Sequence, residues 1–147
     1  MKKLNIALAV LFSLATVSAQ ADVANAEKIA QKYTTIARII NPEYAGPSAI
    51  AGKMFFNRKI KGAHDKETAC ASCHTRNPAN TGKHIITGKA IRPLSPAVND
   101  KRFNDIENVE DKFTEHCNDI IGSDCTPEEK ANFIGYLLTE KTPSAKK

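Results

Sequence analysis

Apolar residues return at helical spacing through Val23, Ala26, Ile29, Ala30, Tyr33, Ile36, Ala37 and Ile40, which predicts an amphipathic helix over 22–40, stopped by Asn41-Pro42. Pro47-Ser48 offers a cap for a second helix through Ala51, Met54 and Phe55, where Gly52 is small enough for close packing against another helix. No long periodic stretch follows over 57–104. Gly62, Pro78, Gly82, Gly88, Pro93 and Pro96 punctuate it, so it reads as loop with at most short helical turns. A loop of that length inside a domain points to function, or to something large for the chain to wrap around.

Order returns at Asp105. Ile106, Val109, Phe113, Cys117 and Ile120 fall on one stripe, and Gly122 ends that helix. Thr126, Pro127 and Glu129 then form a complete capping box for a last helix reaching about Thr139. Its apolar residues Ala131, Phe133, Ile134, Tyr136, Leu137 and Leu138 need a partner, and Gly135 would admit another helix closely. Residues 141–147 read as an unordered tail. Nothing in the pattern reads as a strand, so the fold class is all-α.

The first residues change the picture of where the chain works. Lys2 and Lys3 precede an apolar stretch from Ile6 to Leu14, broken only by Ser13, and small residues end at Ala19-Gln20-Ala21. This is the layout of a secretory signal peptide over 1–21, cut after Ala21 rather than kept as an anchor, which leaves one domain over 22–147. The apolar stretch is too short to span a bilayer, which takes roughly 20 apolar residues, and no later segment comes close. With 147 residues, 41% hydrophobic and 25% charged, the composition is that of one ordinary globular domain. The formal charge of +5 is partly the leader's, and the remaining excess is no basis for nucleic-acid binding.

Export puts four cysteines, Cys70, Cys73, Cys117 and Cys125, in an oxidising compartment, where they persist as disulfides or are consumed covalently. Cys70-Ala71-Ser72-Cys73-His74 is CxxCH, the attachment sequence for c-type haem. Two thiols three positions apart reach the two vinyl groups of one porphyrin, and the next side chain, His74, falls beneath the iron as proximal ligand. A redox CxxC wants a strand–helix setting that is missing here, and zinc needs two more ligands at recognisable spacing. Haem also explains the long irregular stretch, because a large apolar cofactor supplies burial that a domain of this size lacks. Cys117 and Cys125 enclose the short loop 118–124 and, in an exported chain, are expected to form a disulfide.

The other face of the iron is the open question. Most small c-type cytochromes place a methionine there, but the only methionine after the leader is Met54, before CxxCH and read as core filler. His64 and His84 lie in polar loop sequence. His116 projects about 50° from the centre of its helix stripe, inward or nearly so, whereas Asn118 points towards solvent. His116 is therefore the expected distal ligand, with a core histidine bonded to backbone as the bland alternative.

The runs AGKMFF, CASCH, TGKAIRPLSP, KRFNDIENVE and CNDIIGSDCTPEEKANFIGYL together resemble the oxygen-binding class I cytochromes c called sphaeroides haem protein. The resemblance implies an exported cytochrome of class I fold with one covalent haem c, His74 proximal, Cys117 bridged to Cys125, and a dihaem cytochrome c and a membrane cytochrome b as redox partners. In that family the distal ligand is an asparagine immediately before the first bridge cysteine. Here that position is His116, a firmer ligand, while Asn118 keeps amide ligation open. The resemblance also implies that the carbonyl of Pro93, or alternatively Pro96, orients the His74 ring. Lys89 and Arg92 are candidates for the haem carboxylates. The expected function is periplasmic electron transfer, with conditional binding of oxygen, nitric oxide or other small ligands at the distal face. The rival expectation is a haem enzyme turning over peroxide, nitric oxide or a hydroxylamine-type substrate, which would need a distal acid–base group that the sequence does not name.

Overall fold

The computed structural model describes residues 14–61 and 67–145; most of the predicted leader and His64 lie outside them. Helix α1 spans Leu14–Ile40, reaching back into the predicted leader, and α2 spans Ala49–Asn57. A short antiparallel pair, β1 (Ile60–Lys61) and β2 (Glu67–Thr68), precedes α3 (Cys70–His74). A second pair, β3 (Gly82–Lys83) and β4 (Ala90–Ile91), leads into irregular chain, then α4 (Ile106–Ile121) and α5 (Pro127–Thr139).

The caps act where the residue types require them. Ser48 Oγ accepts from Ala51 N–H at 3.2 Å, Asp105 Oδ1 from Asn108 N–H at 3.0 Å, and Thr126 Oγ1 from Glu129 N–H at 3.2 Å. Each satisfies an N–H that the first helical turn leaves unpaired. Gly122 closes α4 in the left-handed region at φ +85°, which costs little without a Cβ.

Helix α5 is the centre of the molecule, packed against both α1 and α2. Ala26, Ile29, Tyr33 and Ala37 of α1 are buried, as are Ala131, Ile134 and Leu137 of α5. Gly52 is where α2 crosses α5: a Cβ there would lie 2.0 Å from the Asn132 carbonyl oxygen. That contact lets the ring of Phe56 lie 5.7 Å from both Phe133 and Tyr136. Gly135 serves a different neighbour from the expected helix, since its open side faces Pro47, just ahead of α2.

Lys130 ties α4 to this core. Its ammonium is buried, donates to Asp124 Oδ2 at 2.8 Å, and sits 5.4 Å from the Tyr33 ring centre and 5.8 Å from that of Phe113. A cation that is both paired and laid against aromatic faces tolerates burial. Lys32 and Glu110 form a further ion pair between α1 and α4.

Several expectations need correction. Met54 is no core filler: it is 70% exposed, because Gly52 and Phe56 take the packed face of α2 and Met54 lies between them on the opposite side. Ile40 and Ile106 are likewise exposed, as the ends of α1 and α4 outrun the core. The stretch read as loop without strands contains the two small β pairs, too short to leave an alternating signature. The tail read as unordered is held on the loop after α3: Asn77 Nδ2 donates to the Thr142 carbonyl at 3.0 Å, and Ser144 N–H donates to Asn80 Oδ1 at 2.8 Å. Among the described residues no helix is long and apolar enough to cross a membrane.

Candidate functional site

The irregular stretch is tightly stitched beneath α3. The Pro78 carbonyl accepts from both Leu94 and Ser95 N–H, at 2.8 and 3.1 Å, and Pro78, Ser95 and Pro96 are fully buried. Gly82 passes so close to α3 that a Cβ would lie 2.3 Å from the Cys73 carbonyl oxygen. Ser72 Oγ accepts from Ala69 N–H at 3.1 Å at the start of α3, and Thr75 ends it at φ +61°, an unusual conformation for a β-branched residue. The chain thus reverses immediately after His74.

Between α3 and α4 lies a cavity of about 320 Å³. Phe55, Leu94, Phe103, Val109, Phe113 and Leu137 make its wall mostly apolar, and Cys70, His74, His116 and the Cys117–Cys125 pair also line it. Cys70 and Cys73 are unbridged, whereas Cys117 and Cys125 form a disulfide with Cα atoms 5.5 Å apart. Burial pushes the Cys70 thiol up to about 11. Burial, followed by the neighbouring His116 and Arg102 charges, lowers His74 to about 4, so its imidazole is neutral at pH 7 with a lone pair to give.

The two imidazoles lie close together in the cavity wall, their planes tilted by 41°. The ring centres of His74 and His116 are 6.4 Å apart. Two imidazoles sharing one metal ion, each with a nitrogen about 2 Å from it, have ring centres about 6 Å apart. The His116 Nδ1 lies 2.9 Å from the Lys112 carbonyl, one turn back on α4. A carbonyl only accepts, so Nδ1 carries the proton and Nε2 keeps the lone pair. Two free thiols, two neighbouring imidazoles and apolar walls together suit a covalently held porphyrin with an iron at its centre.

The other candidates fall elsewhere. Asn118 is exposed, and its amide donates to the Thr114 carbonyl at 2.8 Å. His84 Nδ1 accepts from Ile86 and Thr87 N–H within its own turn, each at 3.2 Å. Pro93 lies one residue from the cavity wall, and its carbonyl accepts from Asn99 Nδ2 at 2.8 Å, which occupies one of its two lone pairs. Pro96 is buried away from the lining residues. Lys89 and Arg92 are exposed and do not line the cavity, whereas Arg102, which sequence reasoning passed over, does. Nothing in the run KRFNDIENVE marks Arg102 apart from its neighbours; only its position next to the buried Phe103 gives a hint. Among the described residues no carboxylate lines the cavity. Among the described residues no three His, Cys, Asp or Glu side chains converge as a metal site.

Comparison with known proteins agrees with this chemistry. The family described as "Domain of unknown function (DUF1924)" matches residues 42–137. Cytochrome c'' of Methylophilus methylotrophus is 61% identical over 142 residues, covering 97% of this chain and 99% of that protein. Cytochrome c-type protein SHP of Cereibacter sphaeroides is 34% identical over 96 residues, covering 65% of this chain and 74% of that protein. The crystal structure of oxidized Methylophilus cytochrome c'' superposes with a TM-score of 0.80 at 65% identity, covering 83% of this chain and 99% of that one. A solution structure of the same cytochrome, concerned with haem-ligand detachment, gives a TM-score of 0.78 at 64% identity, covering 84% of this chain and 99% of that one. Oxidized SHP, described as an oxygen-binding cytochrome c, gives 0.67 at 31% identity, covering 78% of this chain and 96% of that one. The chain therefore belongs to the class I cytochromes c that include cytochrome c'' and the sphaeroides haem protein, and it carries one covalent haem c.

Proposed function

We propose that this cytochrome is an exported, periplasmic electron carrier whose distal histidine, His116, is exchangeable for a small ligand. Bound haem supplies an iron that takes up and gives back one electron. Cys70 and Cys73 would hold the group by thioether bonds. His74, neutral and half-buried, would give its lone pair to the iron from α3. His116 would offer Nε2 from α4, held in that tautomer by the Lys112 carbonyl.

The observation that carries this reading is the 6.4 Å separation of the two imidazole rings across an apolar cavity. Release of His116 on reduction is supported by two features. The His116 side chain is exposed on α4, so it can swing into solvent without opening the core. The Methylophilus relative has been described in terms of haem-ligand detachment. A departed His116 leaves the distal wall open to oxygen, nitric oxide or carbon monoxide, as the description of SHP as oxygen-binding suggests for a related cavity. By resemblance, a dihaem cytochrome c and a membrane cytochrome b are the redox partners. The leader over 1–21 supports export, and mature protein recovered from the periplasm with Asp22 as its first residue would check it.

The test is His116→Ala. The oxidised protein should change from a six-coordinate low-spin optical spectrum towards high-spin, and the reduced protein should take up carbon monoxide more readily. An unaltered oxidised spectrum would mean that another group holds the iron.

A further inference from the structure

The hairpin built by β3 and β4 carries an apolar tip that stands in solvent. Ile85 and Ile86 lie in its turn, 57% and 85% exposed, and Thr87, Gly88, Lys89 and Ala90 continue the exposed run. The turn is nevertheless held in one shape. His84 N–H donates to the Lys89 carbonyl and Gly88 N–H to the His84 carbonyl, each at 2.9 Å, while His84 Nδ1 accepts from both Ile86 and Thr87 N–H at 3.2 Å. Lys89 N–H reaches Thr87 Oγ1 at 3.4 Å, and Gly88 supplies the left-handed residue at φ +70°. The N–H groups of His84, Ile86, Thr87, Gly88 and Lys89 are therefore met inside the turn, which can lose water without leaving those donors unpaired. The hairpin is also fixed to the haem-attachment helix, because Gly82 packs on the Cys73 carbonyl and Ile91 lines the cavity.

The ionic side chains along this stretch are all basic. Between Glu67 and Asp100 the chain has no Asp or Glu, while Arg76, Lys83, Lys89 and Arg92 fall in that interval. Lys83, Lys89 and Arg92 are exposed, and among the described residues none of them forms an ion pair. The Lys83 stem lies along the turn, its Cε 3.5 Å from where a Cβ on Gly88 would stand. An aliphatic tip with a cationic collar fits an anionic lipid surface: the isoleucines enter the boundary between headgroups and acyl chains, and the cations stay among the phosphates. A protein partner is a poorer match. A stable protein interface covers roughly 800 Å² on each side, of which two side chains on one turn are a small part.

We infer that the β3–β4 hairpin is a membrane-surface contact, in which Ile85 and Ile86 dip into anionic phospholipid and Lys83, Lys89 and Arg92 hold its headgroups. The contact is peripheral. Through Gly82 and Ile91 it orients the α3 side of the cavity towards the bilayer, and it stands whether or not His116 leaves the iron.

The test is co-sedimentation of the haem-loaded protein with vesicles of phosphatidylcholine alone and of phosphatidylcholine mixed with phosphatidylglycerol. The parent should bind the mixed vesicles and not the neutral ones. Ile85→Ser combined with Ile86→Ser should weaken that binding by at least about tenfold, from the apolar area withdrawn. Lys83→Gln combined with Lys89→Gln should weaken it by about 25-fold, about fivefold for each charge. All four side chains are exposed, so each variant should keep the parent's Soret spectrum and melting temperature, which separates lost binding from a lost fold or lost haem. A parent that ignores the mixed vesicles overturns the inference; if its electron exchange with an acidic redox protein then slows in the isoleucine variant, the tip belongs to a protein contact instead. An isoleucine variant that binds the mixed vesicles as tightly as the parent also overturns it, leaving only the diffuse attraction of a basic surface.

Discussion

Replacing Gly52 by alanine sets two effects of opposite sign against each other, and the structure decides between them. Position 52 is inside α2, where alanine is favoured over glycine by about 1 kcal/mol in an isolated helix. In the folded protein the added Cβ would lie 2.0 Å from the Asn132 carbonyl oxygen, 2.6 Å from its carbon and 2.9 Å from Tyr136 Cβ. Two of those three atoms are backbone, and no rotamer change removes them. Optimal carbon contacts are about 3.5–4.0 Å, so α2 and α5 must part by more than about 1 Å, a gap that already forfeits a quarter to a half of the dispersion attraction across the interface. The contacts at risk are those of Phe56 with Phe133 and Tyr136, each aromatic pair contributing about 0.5–1.5 kcal/mol beyond its burial. Overpacking of this kind costs typically 1–3 kcal/mol, and this contact belongs at the upper end. After the helix-forming gain, Gly52→Ala should lose about 2 kcal/mol, a fall in melting temperature of several degrees for a domain of this size. Thermal and guanidinium unfolding of the haem-loaded protein, followed by far-UV circular dichroism, measures it. Phe133 also lines the haem cavity, so the distal ligand balance should shift in the same sample. A variant as stable as its parent, or more so, would show that helix propensity outweighs the crossing and would refute the packing argument.

Two further perturbations read other parts of the molecule. Converting Cys117 and Cys125 to serine should cost about 2–3 kcal/mol by the chain-entropy estimate for so short a loop, and unchanged denaturation midpoints would rule that out. Because both cysteines line the cavity next to His116, the same variant should also hold its distal ligand less firmly, visible as a larger high-spin fraction. Asp22→Asn addresses pH: burial raises the Asp22 carboxyl above its ordinary value, and its Oδ2 has no hydrogen-bond partner. A carboxyl whose folded pKa is raised contributes stability below its unfolded value, near about 3.9, and loses it as pH rises through the folded value. The amide keeps an acceptor for Phe103 N–H and carries no charge. The variant should therefore be more stable than the parent at pH 7, with the gap closing as pH falls towards 4. A gap that widens on acidification would contradict this sign.

Much of the architecture is local and could be read one element at a time. The caps at Ser48, Asp105 and Thr126, the glycine at 122 and the stripe on α4 act within a turn or two of themselves, and each lies where residue type and spacing put it. CxxCH is local in the same sense, because three residues on one short helix suffice to name the cofactor. The failures were also of one kind. Met54 looked like core because its spacing suited a helix, but which face of α2 is covered depends on α5 crossing at Gly52, 80 positions before Asn132. The strand pairs are only two residues long, and the docked tail is held by a few hydrogen bonds to a loop far back in the chain, so neither leaves a periodic mark.

From the amino-acid order alone follow the four longer helices, their ends except the start of α1, and the covalent attachment of haem, since these need only short-range sterics, capping and residue chemistry. Tertiary packing alone brought the ring centre of His116 to 6.4 Å from that of His74, placed Arg102 in the cavity wall, and turned Met54 outward. Those outcomes depend on how α4 and the 93–103 segment are held against the core by Lys130, Asp22 and Pro78, contacts between residues far apart in the chain whose energies no local window contains.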